Sequence, residues 1–306
     1  MPLVVRSVQS SLTILIVAAL FVGAVKAASV NSTSTDTQGP TIVSVVFKYN
    51  PSKVAAGVAG GLYFIASLCL FTRLFMNRAW WGLCLPIAST FMSVGFFMRI
   101  PLTIYPNSLP IFMTSSLFII LPPAAYLAFN YILYGRFIVN CVNRHHSWIK
   151  PEKVAKYFVI SDITTFLIQG GGGGLQASTN ETSDKLGADI LLAGLVIQTL
   201  SFALFMLLVV HAWRSILRDH IQPRQEPWGP ILWILMFSST AYMVRCIYRL
   251  VELAQGNGGY LSTHEIYFYL LDSLPLFIGI CTYIVYWPTK YFESSTKNTY
   301  PMTGRS

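Results

Sequence analysis

Long apolar runs separated by short charged stretches dominate this chain. Seven runs, near residues 54–72, 80–98, 111–134, 157–178, 188–211, 229–251 and 266–287, approach the length of about 20 residues that a helix needs to cross hydrocarbon. A shorter one, Leu12 to Val25, follows Arg6 and ends at Val25-Lys26-Ala27. A basic start, a short apolar stretch and small residues at the end read as a signal peptide over residues 1–27, with an uncleaved signal anchor as the other reading. The pattern predicts an all-α membrane protein, a seven-transmembrane-helix bundle over residues 54–287. A Ser/Thr-rich tail at 28–53 precedes the bundle and a short tail at 288–306 follows it.

Charge gives the bundle a direction. With residue 53 outside, the inner loops and C-terminal tail hold thirteen Lys and Arg, among them Arg136, Arg144, Lys150, Lys153 and Lys156 in one stretch. The outer side holds four: Lys48, Lys53, Arg99 and Lys185. Cytoplasmic loops carry this kind of excess, so the N-terminus is expected outside and the C-terminus in the cytoplasm. The sequons at Asn31 and Asn180 then both fall on the luminal side, where glycosylation takes place. Charged residues make up only 11% of the chain and the mean hydropathy is +0.56, against about 25% charge in a soluble domain. The net charge of +9 is therefore assigned to loop asymmetry and no nucleic-acid partner is expected. Five cysteines form no CxxC pair, so neither a disulfide framework nor a zinc site is expected.

Against this background the stretch Met243 to Leu274 stands out, because it carries Arg245, Arg249, Glu252, Glu265 and Asp272 in or beside apolar helices. A charge at the centre of a membrane helix costs roughly 2.5–3.5 kcal/mol on insertion scales, so it persists where it is paired or serves a pathway. At about 100° per residue, the sixth run aligns Ser238, Tyr242, Arg245, Arg249 and Glu252. The seventh aligns Glu265, Asp272, Gly279, Tyr283 and Tyr286, the fourth Asp162, Thr165, Gln169 and Gly172, and the fifth Gly187, Gly194, Gln198 and Ser201. Arg245 and Asp272 are each about six residues, roughly 9 Å, from the outer ends of their helices and are expected to meet. Arg249 pairs with Glu252 along its own helix, with Glu265 as a further partner, and Gln169 and Gln198 share a depth. Either these groups hold helices together as buried pairs, or the polar faces converge on a cavity. The glycines Gly170 to Gly174 serve close packing or local unwinding, and Pro122-Pro123 is expected to kink the third helix.

Other seven-helix chemistries do not fit. No lysine lies between 266 and 287 to carry a retinal Schiff base. Tyr134-Gly135-Arg136 and Leu274-Pro275-Leu276 stand where a rhodopsin-like receptor has its acidic-Arg-aromatic and NPxxY motifs. His145, His146, His211, His220 and His264 divide between the two sides of the membrane and cannot share one intramembrane metal. No GxxxxGK[ST] loop occurs. No enzyme activity, cofactor or metal is expected.

The chain does resemble one family. Tyr49-x-Pro51-Ser52, Tyr126, Gly135-Arg136, Asp162 with Gln169, and Gly194 with Gln198 occur in order. They are followed by Arg245-Cys-Ile-Tyr-Arg249-x-x-Glu252, Glu265 and Tyr269-x-x-Asp272. Together these motifs resemble the fungal lipid-translocating exporter family, the RTA-like seven-helix proteins. The resemblance implies a plasma-membrane protein acting on membrane lipids, such as sphingoid long-chain bases or sterol-like compounds, and conferring resistance to toxic lipids. A lipid exporter is the first expectation, with Asp162, Gln169, Gln198, Arg245, Arg249, Glu252, Glu265 and Asp272 along the headgroup path. A seven-helix lipid sensor triggering a stress response is the second.

Overall fold

Inside hydrocarbon a backbone N–H or C=O finds no water, so each apolar run is driven to close its hydrogen bonds within itself as a helix. The computed structural model describes residues 52–105, 108–142, 147, 149–176, 181–219, 223, 225–256, 259–261 and 263–292. Among these there are helices and no strands. In chain order α1 is Lys53–Met76, α2 Cys84–Ile104, α3 Leu109–Cys141, α4 Pro151–Gln176, α5 Glu181–Arg218 and α6 Gly229–Ala254. The last, α7, is Glu265–Val285, and its stretch Phe268–Ser273 is wound as a π-helix. The expected leader at 1–27, nearly all of the tail at 28–53, and both glycosylation acceptors, Asn31 and Asn180, lie outside the described residues.

Six of these helices, all but α4, are long and apolar enough to cross a membrane. With 26 residues, α4 spans about 39 Å, but Asp162, Gln169 and five glycines dilute its apolar content. The helices outrun the apolar segments that announce them. The 38 residues of α5 reach about 57 Å, because the helical hydrogen-bond ladder continues where hydropathy stops, and the extension still buries Ala212 and Ile216.

Consecutive helices lie side by side, α7 closes the circuit onto α1 and α6, and α3 touches α6 across it. The interior is aromatic: Tyr63, Phe96, Tyr126, Phe129, Tyr131, Phe137 and Tyr283 are fully buried. The outer surface is apolar as well. On α5, Leu200, Leu204 and Leu207 are 60%, 58% and 56% exposed, an arrangement that suits lipid and not water. Arg99, expected in an external loop, is instead 3% exposed inside α2, with its guanidinium 4.3 Å from the Phe268 ring centroid. The apolar run gives out near residue 98, but the helix carries on to Ile104.

The glycine run of α4 is resolved in favour of close packing. The helix continues through it to Gln176. A Cβ on Gly172 would stand 2.8 Å from the Gly187 carbonyl oxygen and 2.8 Å from the Leu191 nitrogen of α5. Backbone cannot move aside as a side chain can, so only glycine permits this approach. Gly170, in contrast, faces open space, with nothing within 4 Å of a Cβ. Gly172→Ala is expected to destabilise the protein by about 1–3 kcal/mol through overpacking. Gly170→Ala is expected to be neutral, or stabilising by up to about 1 kcal/mol through helix propensity. Thermal unfolding of the purified protein in detergent should rank the two variants in that order.

Candidate functional site

The charged stretch folds into one network whose centre is Asp272, with no exposed surface. The Arg249 Nε donates to Asp272 Oδ1 at 2.6 Å and its Nη2 donates to Oδ2 at 3.4 Å. The expected meeting of Arg245 with Asp272 also occurs: the Arg245 Nε lies 3.2 Å from the same Oδ1. Two guanidiniums one turn apart on α6 therefore share one carboxylate on α7. Arg249 also donates through Nη1 to Glu252 Oε2 at 3.2 Å, the pairing along the helix expected from their spacing. Tyr248 donates to the other Glu252 oxygen at 3.3 Å.

The π-wound stretch explains why α7 does not present a single polar stripe. Pro275 lacks the N–H that an α-helix would direct at the Leu271 carbonyl. A π turn takes up the difference, with the Leu274 N–H reaching the Tyr269 carbonyl five residues back. One extra residue in the turn rotates the N-terminal part of the helix by about 100° relative to the C-terminal part. Asp272, Gly279 and Tyr283 thus face α6: Gly279 packs directly on Tyr242, and Tyr283 bonds Ser238 at 2.7 Å. Glu265 is turned toward α1 and accepts the Ser52 backbone N–H at 3.0 and 3.2 Å. It does not join Arg249, and Ser52 at the same time caps α1.

A cavity of about 250 Å³ lies between α3, α4, α5 and α6. Arg245, Arg249 and Glu252 line it on one side and Gln169 and Gln198 on another, with Ile120, Phe166, Leu191 and Leu195 supplying apolar wall. It extends from Gly256, just past the end of α6, to the glutamine pair, where Gln169 Nε2 donates to Gln198 Oε1 at 2.8 Å. Gly194 makes that pair possible, because a Cβ there would stand 2.8 Å from the Gln169 Cγ. Ile120 lines the cavity and is also 42% exposed on the outer face of α3, so the cavity wall is continuous with the bundle's exterior. Five of the eight residues expected on a headgroup path therefore share one cavity. Asp272 stands behind the arginines as their counter-ion and Glu265 lies outside the lining.

Asp162 occupies a separate buried position, two turns along α4 from Gln169. The Tyr131 hydroxyl donates to its Oδ2 at 2.9 Å, while its Oδ1 has no partner among the described residues. Phe158, Phe202 and Phe205 pack around Tyr131. A further buried polar cluster is one that helical periodicity does not reveal. Asn130, with no exposed surface, donates to Ser238 at 3.1 Å and Ser239 at 2.9 Å and accepts from the Tyr283 hydroxyl at 2.7 Å. A lone Asn within an apolar run is the available signal for it.

The counter-ion role of Asp272 has a measurable consequence. Asp272→Asn leaves two guanidiniums without their shared carboxylate, and breaking a buried pair from one side costs about 3–5 kcal/mol. Glu252→Gln disturbs a pair in which both side chains are about one-fifth exposed and is expected to cost about 1 kcal/mol or less. Unfolding midpoints in detergent should fall sharply for the first variant and barely for the second.

Comparison with known proteins gives the chain a family. Residues 85–295 match the family described as RTA1 like protein. Protein RTM1 of Saccharomyces cerevisiae is 29% identical over 197 residues, covering 63% of this chain and 62% of that protein. Protoporphyrin uptake protein 1 of the same yeast is 26% identical over 195 residues, with 63% and 64% covered. The chain thus spans a little under two thirds of the length of each of these two relatives. The sphingoid long-chain base transporter RSB1 of S. cerevisiae is 26% identical over 269 residues, covering 76% of this chain and 70% of the transporter. No solved structure matches the chain. The family match takes in α6 and α7 whole, with the Arg245, Arg249, Glu252 and Asp272 network they carry, and well over half of the 306 residues, so the chain belongs to the RTA1-like family.

Proposed function

We propose that this protein is a membrane lipid exporter or translocase. It moves amphipathic lipids, sphingoid long-chain base-like or sterol-like, across or out of the bilayer and so confers resistance to toxic lipids. The observation that carries this reading is the cavity: it is charged on one side, apolar on the other, and continuous with the bundle's outer face at Ile120. At about 250 Å³ it is smaller than the roughly 300–1,000 Å³ that drug-sized ligands occupy. It accommodates a headgroup while the chain stays in the bilayer. Glu252 receives an ammonium group, and Gln169 and Gln198 meet hydroxyls. Asp162, farther along the same face of α4, is the next acceptor toward the inner side.

The topology belongs to the same proposal. All seven helices cross a plasma membrane, with the N-terminus outside and the C-terminus cytoplasmic. The uneven distribution of Lys and Arg supports this, as does the position of α4, which packs between α3 and α5 although it is the least apolar of the seven. In this orientation Gly256 and the cavity mouth face outward, and α6 presents Glu252 nearer the surface than Arg245.

A second reading is a lipid sensor. The basic stretch Arg136 to Lys156 favours it, since its first residue is already anchored with the Arg136 guanidinium 4.8 Å from the Trp81 ring centroid. Purified protein in liposomes separates the two. A transporter is expected to move a labelled sphingoid base between leaflets unaided, and Glu252→Gln at equal incorporation is expected to slow it about tenfold, as for loss of one charge-assisted hydrogen bond. Saturable binding with no movement in the wild type would give the sensor reading.

A further inference from the structure

We propose that the cavity selects lipids whose headgroup carries a phosphate monoester, with the anionic oxygens at Arg245 and an accompanying ammonium at Glu252. This rests on the lipid reading above and specifies its substrate class.

The argument is one of unmatched donors. Asp272 is occupied by Arg249, which holds both its oxygens, at 2.6 and 3.4 Å. The second carboxylate of the network, Glu252, also pairs with Arg249 and accepts from Tyr248. Arg249 thus has two acids, while Arg245 has only an edge of one. Its Nε lies 3.2 Å from Asp272 Oδ1 without hydrogen-bond geometry. Among the described residues Arg245 donates no hydrogen bond, although its side chain is only 9% exposed and lines the cavity.

A guanidinium offers five N–H donors in a fixed fork. The Nε edge of this fork is turned to Asp272, and its terminal nitrogens donate to no group among the described residues, so on the cavity side they call for oxygens. Phosphate and carboxylate fit it, phosphate with more oxygens and charge. The rest of the lining agrees. Because Gln169 donates to Gln198, the Gln198 amide N–H groups remain as donors and the Gln169 carbonyl as an acceptor in the wall of the same cavity. Among the described residues Glu252 supplies the one cavity-lining carboxylate, for a cationic group at a short distance from the anion. A free amine alone would use Glu252 and leave the Arg245 fork unmet.

The test is a binding titration of the purified full chain in maltoside detergent, followed by tryptophan fluorescence. The probes are sphinganine, the phosphate monoester of sphinganine, and inorganic phosphate. The monoester is expected to bind about tenfold more tightly than the free base, from one added charge-assisted contact. Arg245→Gln is expected to abolish that difference. Arg245→Lys keeps the charge beside Asp272 and guards against misfolding; it is expected to keep only part of the difference. Inorganic phosphate at equal concentration is expected not to displace the monoester. Equal affinities in the wild type, or a preference that survives Arg245→Gln, would overturn the Arg245 assignment. Displacement by inorganic phosphate would overturn the lipid source of the anion. Tight binding of free sphinganine with no gain from phosphate overturns this inference and leaves the lipid reading standing. Failure of both lipids to bind overturns the two together.

Discussion

A carboxylate with no exposed surface, held by two guanidiniums, is the constraint to which the rest of this bundle answers. Placing Asp272 inside the membrane is unfavourable unless both its oxygens are met. Arg249 meets both, and Arg245 stands against the same atom. That arrangement fixes α6 and α7 in register. Below it, Gly279 admits Tyr242 and Tyr283 reaches Ser238 and Asn130. Above it, the π-wound stretch turns Glu265 away to hold the start of α1. The same ion cluster that locks the helices also leaves one guanidinium facing the cavity incompletely matched. The structural reading of these charges and the proposed functional one, which compete in the sequence, are thus compatible as two sides of one cluster.

Much of this is legible because membrane burial makes polar residues conspicuous. In an apolar helix a charge needs a partner, so equal depth is enough to bring Arg245 and Asp272 together, and i, i+3 spacing enough for Arg249 and Glu252. Likewise Gln169 and Gln198, alone among apolar neighbours at one depth, are bound to find each other. The illegible part is equally physical. Constant 100° steps fail across a π turn, so they put Glu265 on the face of Asp272 when it belongs to the opposite contact. Hydropathy marks where lipid ends and not where hydrogen bonding ends, so it puts Arg99 in a loop when α2 continues past it to Ile104. The closer grip of Arg249 on Asp272 depends on side-chain reach, which spacing does not encode.

The position of α4 connects the low hydropathy of one helix with the presence of a cavity. An exposed helix face that meets lipid is held to apolar residues, and the exposed face of α4 carries Tyr157, Ile160, Ile163 and Leu167, each more than half exposed. Its other face carries Asp162, Thr165, Gln169 and Gly172, which face α3 and α5. Averaged over its length such a helix looks too polar to span. The polar face is tolerated because α5 approaches at Gly172 and Gly194, closely enough for polar groups to find one another.

The helix with the weakest membrane signature is thus one of the four that border the cavity, and there is a physical reason for it. A wall that borders a polar cavity has to offer hydrogen bonds, and every such residue subtracts from the apolar average by which a crossing is recognised. In α6 the same trade is hidden, because Trp233, Phe237, Val244, Ile247 and Val251 on its exposed side offset the arginines. The two helices differ in how much apolar residue the lipid face supplies, and agree in directing their polar residues inward at the depth where the cavity lies.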